Sequence, residues 1–196
     1  MPFQCQAQWR IPLPLDTAGR PFRSWLSDRG SLTERLRASG GFAVVVLNQC
    51  LGTPCRDEVD ELGLKAGQHA WIREVALHCN GQPVVFAHSV LPRRPSGPMS
   101  RWLARLGNRS LGALLFAHPR FVRGGMQTRR LDARHPLFQP AVRALHLPSS
   151  YAGVLWARRS LFTFNARSLL VTEVFSPIIV KLQPITTKGS QSNIAA

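Results

Sequence analysis

Two ionisable residues stand in strands that are otherwise apolar. Side chains alternate faces along Trp71-Ile72-Arg73-Glu74-Val75-Ala76-Leu77, so Arg73 points with Trp71, Val75 and Leu77. By the same rule Glu173, in Leu169-Leu170-Val171-Thr172-Glu173-Val174-Phe175, points with Leu169, Val171 and Phe175. An unpaired charge among hydrocarbon neighbours is costly, so such a group has a partner, a wet pocket or a ligand. The plain alternatives are an Arg73–Glu173 or Arg73–Glu74 ion pair bracing the sheet, or a face that is simply exposed. The chemical alternative is a pocket. An arginine fork matches a carboxylate with two parallel hydrogen bonds, and a carboxyl in apolar surroundings is suited to moving a proton. A small carboxylic acid would need that combination.

Other candidates carry less. His88 shares its strand face with Phe86 and Val90 and reads as a core or pocket-wall histidine rather than a general base. The six histidines lack an H-E-x-x-H spacing, and Cys5, Cys50, Cys55 and Cys79 lack C-x-x-C, so neither a metal site nor a redox pair is expected. Reduced thiols in the cytoplasm are the simplest reading, although counting cysteines leaves a periplasmic disulfide open. G-x-S-x-G, Walker and Rossmann motifs do not occur, and no cofactor is expected. Gly107 and Gly112 read as helix ends, not as a phosphate loop.

The 196 residues, 44% hydrophobic, suit one globular domain, here taken as 1–180 with a flexible tail over 181–196. The formal charge of +15, from 25 Lys+Arg against 10 Asp+Glu, points to a polyanionic partner or a small anionic substrate. The arginines are scattered from Arg10 to Arg167 with only short pairs such as Arg158-Arg159, which reads mostly as a solvated basic surface. A nucleic-acid partner is not expected, because no RNP strand, zinc finger or bZIP pattern accompanies the charge. Apolar runs such as Phe42–Leu47 are far too short to span a bilayer, so no membrane insertion is expected, and no signal-peptide pattern opens the chain.

The elements that must position Arg73 and Glu173 follow from local signals. A short helix is expected from Pro21 to Leu26, and another after Ser31, whose hydroxyl and Glu34 form a capping box. Strands are expected over Phe42–Leu51, Ala70–Cys79 and Pro83–Leu91, the last two joined by the hairpin turn Asn80-Gly81. Helical spacing returns at Trp102, Leu103 and Leu106 and again at Leu111, Leu114 and Leu115. Phe121–Leu131 reads as a strand, and Asp132–Ser150 as a prolyl loop holding one helical turn. A last strand pair runs Val154–Phe164 and Ser168–Pro177. Short turns enforce antiparallel pairing, so the expected class is α+β, a single antiparallel sheet with helices on one face.

In this order the motifs resemble one family. The hairpin from Trp71 through Asn80-Gly81-Gln82-Pro83 to Ser89-Val90-Leu91-Pro92 is similar to the central hairpin of bacterial chorismate pyruvate-lyases. Leu106-Gly107, Leu111-Gly112 and Leu115-Phe116 resemble the family's Leu-Gly…Leu-Gly…Leu-Phe stretch, and Trp156-Ala157-Arg158-Arg159-Ser160 with Leu170–Pro177 resembles its C-terminal strand pair. Ser31-Leu32-Thr33-Glu34-Arg35 fits its early helix, and the likeness runs from Trp25 to Pro177.

The resemblance implies a lyase that converts chorismate to 4-hydroxybenzoate and pyruvate for ubiquinone synthesis. It implies a monomeric enzyme without metal or organic cofactor, its ligand enclosed beneath helical flaps. It puts the carboxylate-binding arginine at Arg73, the acidic residue at the substrate hydroxyl at Glu173, and substrate-pocket contacts at Leu111 and Leu32, where relatives carry methionine. His88 stands where some relatives carry arginine, implying an altered basic contact near the pocket. The rival from another class is a non-catalytic, effector-sensing domain that binds an aromatic acid. Such domains follow a DNA-binding module that some twenty irregular residues cannot hold. Tight binding without turnover would mark it.

Overall fold

The computed structural model describes residues 8–10, 17–92, 107, 109–165 and 167–182. Six strands, β1 (Phe42–Gly52), β2 (Ala70–Cys79), β3 (Gln82–Pro92), β4 (Val122–Leu131), β5 (Leu155–Phe164) and β6 (Arg167–Phe175), form one antiparallel sheet. Their spatial order is β1-β2-β3-β6-β5-β4, so the two sequence-adjacent hairpins β2-β3 and β5-β6 meet at the centre. Asn80 and Gly81 both have positive φ, 51° and 77°, as a two-residue turn matched to the strand twist requires. The α+β class and the single antiparallel sheet are those expected.

The helices, however, divide between the two faces instead of gathering on one. On the first face lie α1 (Arg23–Leu26), α2 (Leu32–Ala38) and, after α3, α4 (Leu111–Ala117). Trp25, Leu26, Leu32 and Leu36 pack there on Val75, Leu77, Val85, Trp156 and Phe175. Leu111 and Leu115 pack further along the same face on Leu91, Phe162 and Leu169. Helices α3 (Arg56–Leu62) and α5 (Phe138–Ala144) serve the second face, where Phe138, Ala141 and Val142 meet Phe86, Leu131, Leu155 and Val174. Each large apolar side chain so buried contributes about 1.5–3 kcal/mol.

Both second-face helices depart from the sequence expectation. The segment 132–150 holds a seven-residue helix, not a single turn, because Pro140 occupies its first turn, where no intrahelical N–H is needed. Helix α3 has Cys55 as its N-cap, and Glu58 reaches back to the Cys55 N–H at 2.9 Å, so this capping box does not use the usual residues. Ser31 does cap α2, accepting from the Glu34 N–H at 3.4 Å. The helical spacing at Trp102–Leu106 and the tail from 183 onward lie outside the described residues. No helix among the described residues is long and apolar enough to cross a membrane.

Candidate active site

Strand pairing sets Arg73 and Glu173 on the first face in neighbouring rows. One row crosses the sheet as Gln49, Arg73, Ser89, Val171, Ser160 and Met126. The next runs Val75, Ala87, Glu173 and Arg158. Arg73 and Glu173 are therefore two strands and two residues apart, about 10 Å across the sheet and about 7 Å along it. Between them stand the short side chains of Ser89 and Ala87, which leave depth above the sheet. The two charged groups do not pair with each other, and Glu74 points to the other face, so neither bracing ion pair forms.

Arg73 is only 2% exposed. Its Nη1 donates to Gln49 Oε1 at 2.6 Å, and its Nη2 donates to the carbonyl oxygens of Gly107 at 2.6 Å and Arg109 at 3.4 Å. All three acceptors are neutral, and among the described residues no carboxylate pairs with this guanidinium. Burial holds its pKa below the ordinary arginine value, but arginine remains charged in proteins. A buried, fixed positive charge without a counter-ion is an anion site.

Glu173 is held differently. Arg158, its direct neighbour on β5, donates from Nε to Glu173 Oε2 at 2.5 Å. That arginine is fully buried and is clamped from behind, its Nη1 donating to the carbonyls of Trp25 and Asp28 at 2.7 Å each. Helix α1 and the turn after it therefore hold the guanidinium that holds Glu173. Glu173 is a paired carboxylate rather than a lone carboxyl among hydrocarbons. Oε1 carries no hydrogen bond among the described residues.

The cover over this face comes from α2 and α4. Leu32 and Leu111 are both buried, 4% and 8% exposed. The residues beside them touch across the gap, Thr33 Oγ1 lying 2.6 Å from Ser110 Oγ. The Gly107 and Arg109 carbonyls that accept from Arg73 immediately precede α4, so the same segment meets both the arginine and α2.

The second face is built on opposite terms. His88 lies there, 4% exposed, with Nδ1 3.1 Å from Glu74 Oε1 and Nε2 3.3 Å from Glu58 Oε1. It is remote from Arg73 and Glu173 and supplies no contact near them. Burial pushes its pKa down, but the two flanking carboxylates outweigh burial and raise it to about 9. A cleft of about 780 Å³ opens beside this cluster, among Trp9, Asp57, Glu61, Gln127, Arg129 and Arg159. Arg159 there is answered by Glu61 at 2.9 Å and Asp57 at 3.3 Å, and Arg129 by Asp57 at 3.5 Å. Burial alone would raise the Asp57 pKa, yet His135, Trp9 and Arg159 hold it well below the usual carboxylate range. The larger cleft thus has its cations neutralised from within, whereas the Arg73 side does not.

A family model described as chorismate lyase matches residues 3–183. The chain belongs to the chorismate lyase family. A probable chorismate pyruvate-lyase from Dechloromonas aromatica is 46% identical over 180 residues, spanning 91% of this chain and 99% of that protein. Another from Aromatoleum aromaticum is 47% identical over 161 residues, 82% of this chain and 86% of that one. Among solved structures, PhnF from Mycobacterium smegmatis aligns over 77% of this chain and 65% of its own, with TM-score 0.53 at 18% identity. The C-terminal domain of a histidine utilization repressor from Pseudomonas syringae aligns over 70% and 92%, with TM-score 0.51 at 8% identity. These two likenesses are of fold alone. In this chorismate lyase family member the sheet brings Arg73, Leu32, Leu111 and Glu173 to one covered face. Sequence reasoning missed Arg158, Gln49, Thr33 and Ser110. The signal for Arg158 was in plain view, since it alternates with Trp156 and Phe162 toward the same apolar face.

Proposed function

We propose that this chain is a chorismate lyase, cleaving chorismate to 4-hydroxybenzoate and pyruvate and so supplying the aromatic precursor of ubiquinone. The observation that carries the site assignment is Arg73, a buried guanidinium with neutral partners only. Its remaining donors would take the ring carboxylate, and fixing the substrate this way is worth up to about 7–11 kcal/mol of barrier in favourable systems. Glu173 Oε1 would face the ring hydroxyl, some two strands away, at the opposite end of a para-substituted ring.

In the reaction the C–O bond from the ring to the enolpyruvyl group breaks. The neighbouring ring carbon, which bears the hydroxyl, gives up its hydrogen as a proton, and that C–H electron pair completes the aromatic ring. The departing enolpyruvate takes a proton at its methylene carbon and becomes pyruvate. Aromaticity supplies the driving force, so orientation, exclusion of water and proton transfer suffice, and no metal or organic cofactor enters the step. A carboxylate already ion-paired to Arg158 is placed to accept the ring proton, which is the role assigned to Glu173. Leu32 and Leu111 would wall the ring. A monomeric, cytoplasmic enzyme accords with a chorismate pool in that compartment.

Incubation of the purified protein with chorismate in the presence of a chelator, followed by the absorbance of 4-hydroxybenzoate, tests the assignment. Turnover with stoichiometric pyruvate is expected; binding without turnover would make this a sensing domain.

A further inference from the structure

A second arginine on the first face shares the property that singles out Arg73. Arg123 stands on β4 opposite Phe162, two residues from the Met126–Ser160 pair, across a break in register. The extra chain in that break re-aims the strand edge. Gly124 lies within it, and a Cβ there would come within 3.2 Å of the Leu161 carbonyl oxygen, so glycine permits the close approach of β4 to β5. The Arg123 side chain turns inward over β5. Its Nε donates to Ser160 Oγ at 2.9 Å, its Nη1 to the Arg29 carbonyl at 2.9 Å, and its Nη2 meets Met126 Sδ at 3.4 Å. The guanidinium carbon lies 5.3 Å from the Phe116 ring centre and 5.6 Å from that of Phe162. None of these partners is an acid, and among the described residues no carboxylate forms an ion pair with it. The contrast with Arg159, answered by Asp57 and Glu61 on the second face, is direct.

The location matters as much as the missing counter-ion. Ser160, which Arg123 grips, lies in the same cross-strand row as Arg73, three strand spacings or about 14 Å away. Glu173 and Arg158 occupy the adjacent row, near enough for Arg123 to feel their charges. Chorismate carries two carboxylates, and the one on its enolpyruvyl arm projects from the ring carbon beside the hydroxyl. With the ring carboxylate on Arg73 and the hydroxyl at Glu173, that arm lies at the Glu173 end. There its negative charge approaches a carboxylate. The cation on Arg158 is already committed to Glu173, so another is needed.

Resting on the chorismate lyase reading above, we propose that Arg123 is the specificity residue that binds the enolpyruvyl carboxylate of the substrate. It thereby distinguishes chorismate, a dianion, from the product, which has lost that arm. The two uncompensated cations of this face then answer the two carboxylates of one ligand. Loss of the arm releases Arg123 from its contact, so product affinity rests on the Arg73 end alone.

The test separates substrate from product. In Arg123→Gln, kcat/KM for chorismate should fall about 100-fold, chiefly through KM, the scale of an arginine–carboxylate contact removed from a buried site. The Kd of the same variant for 4-hydroxybenzoate, measured by fluorescence titration, should stay within about twofold, since that ligand has no group for Arg123. Arg123→Lys should recover part of the loss. Phe116 is 39% exposed, so Phe116→Leu should fold; by loosening the guanidinium it should raise KM several-fold with product binding unchanged. An unaltered KM in Arg123→Gln and Phe116→Leu, or equal weakening of chorismate and 4-hydroxybenzoate, would overturn the assignment. Failure of the parent protein to turn over chorismate would instead overturn the lyase reading.

Discussion

Glu173 and Arg158 are directly opposed on β6 and β5, and the arginine that binds the carboxylate at 2.5 Å is itself bound by two backbone carbonyls of the α1 region. The pair is thus a link between the sheet and its cover, and the position of the carboxylate depends on the packing of Trp25 and the turn at Asp28. Removing one partner of a buried pair leaves the other uncompensated, which costs about 3–5 kcal/mol. Arg158→Met should therefore lower the urea midpoint sharply and abolish turnover. The double variant Arg158→Met/Glu173→Leu should recover much of the stability and none of the activity. A single substitution as stable as the parent would show that the clamp is not structural.

Arg73 obeys the opposite logic. Its charge is desolvated without an acid to answer it, so the free protein carries a strain that only an anion relieves. Arg73→Met is expected to be at least as stable as the parent in the absence of ligand, by thermal denaturation. It should lose the thermal shift that 4-hydroxybenzoate confers on the parent. Truncating one side of a buried charged contact costs about 2–5 kcal/mol, so kcat/KM should fall roughly 30-fold to several-thousand-fold. Near-normal turnover would exclude Arg73 as the carboxylate anchor.

The strands were legible because each carries its own period and its own turn. Asn80-Gly81 alone sets the β2-β3 register, and that register fixes which face Arg73 occupies. The alternation that flagged Arg73 and Glu173 as inward-pointing is what the sheet displays. Their partners were less legible, since Gln49 and the 107–109 carbonyls come from segments whose approach to β2 no local pattern encodes. Helix α3 was invisible for a related reason. Its cap is Cys55, and Glu58 is both cap and His88 neighbour, a duty that only tertiary contact reveals. The second layer of helices followed from that omission: without α3 and α5, nothing in the sequence required the second face to be covered.

His88 makes stability depend on pH from the second face. Its folded pKa of about 9 is raised above the ordinary 6.5 by Glu58 and Glu74 against the effect of burial. A raised pKa means that the folded protein holds the proton more tightly than the unfolded chain. The contribution, about 3 kcal/mol at most, is therefore complete below pH 6.5 and lost as pH rises through about 9. Urea denaturation across that window should give falling stability. His88→Gln should be less stable at the acid end, with Glu58 and Glu74 left facing each other, and nearly flat across the window. A parent protein whose stability is constant from about pH 6 to about pH 9.5 would contradict the pairing.

The contact between Thr33 and Ser110 joins the two covering helices over the site and touches neither Arg73 nor Glu173. Their hydroxyls are 2.6 Å apart and both residues are buried, so opening the cover between α2 and α4 must break this bond without immediate replacement by water. A bond of this kind has a net worth of about 1 kcal/mol, equivalent to roughly fivefold in an opening equilibrium. Thr33→Val keeps the shape of the side chain and deletes the bond. If the product leaves through that opening, the dissociation rate of 4-hydroxybenzoate in stopped-flow should rise about fivefold, and kcat should rise with it where release limits turnover. Because the residue touches no reacting atom, the rate of the chemical step in a single turnover should stay unchanged. Faster release with unchanged chemistry would locate the exit between α2 and α4, and an unchanged dissociation rate would move it elsewhere.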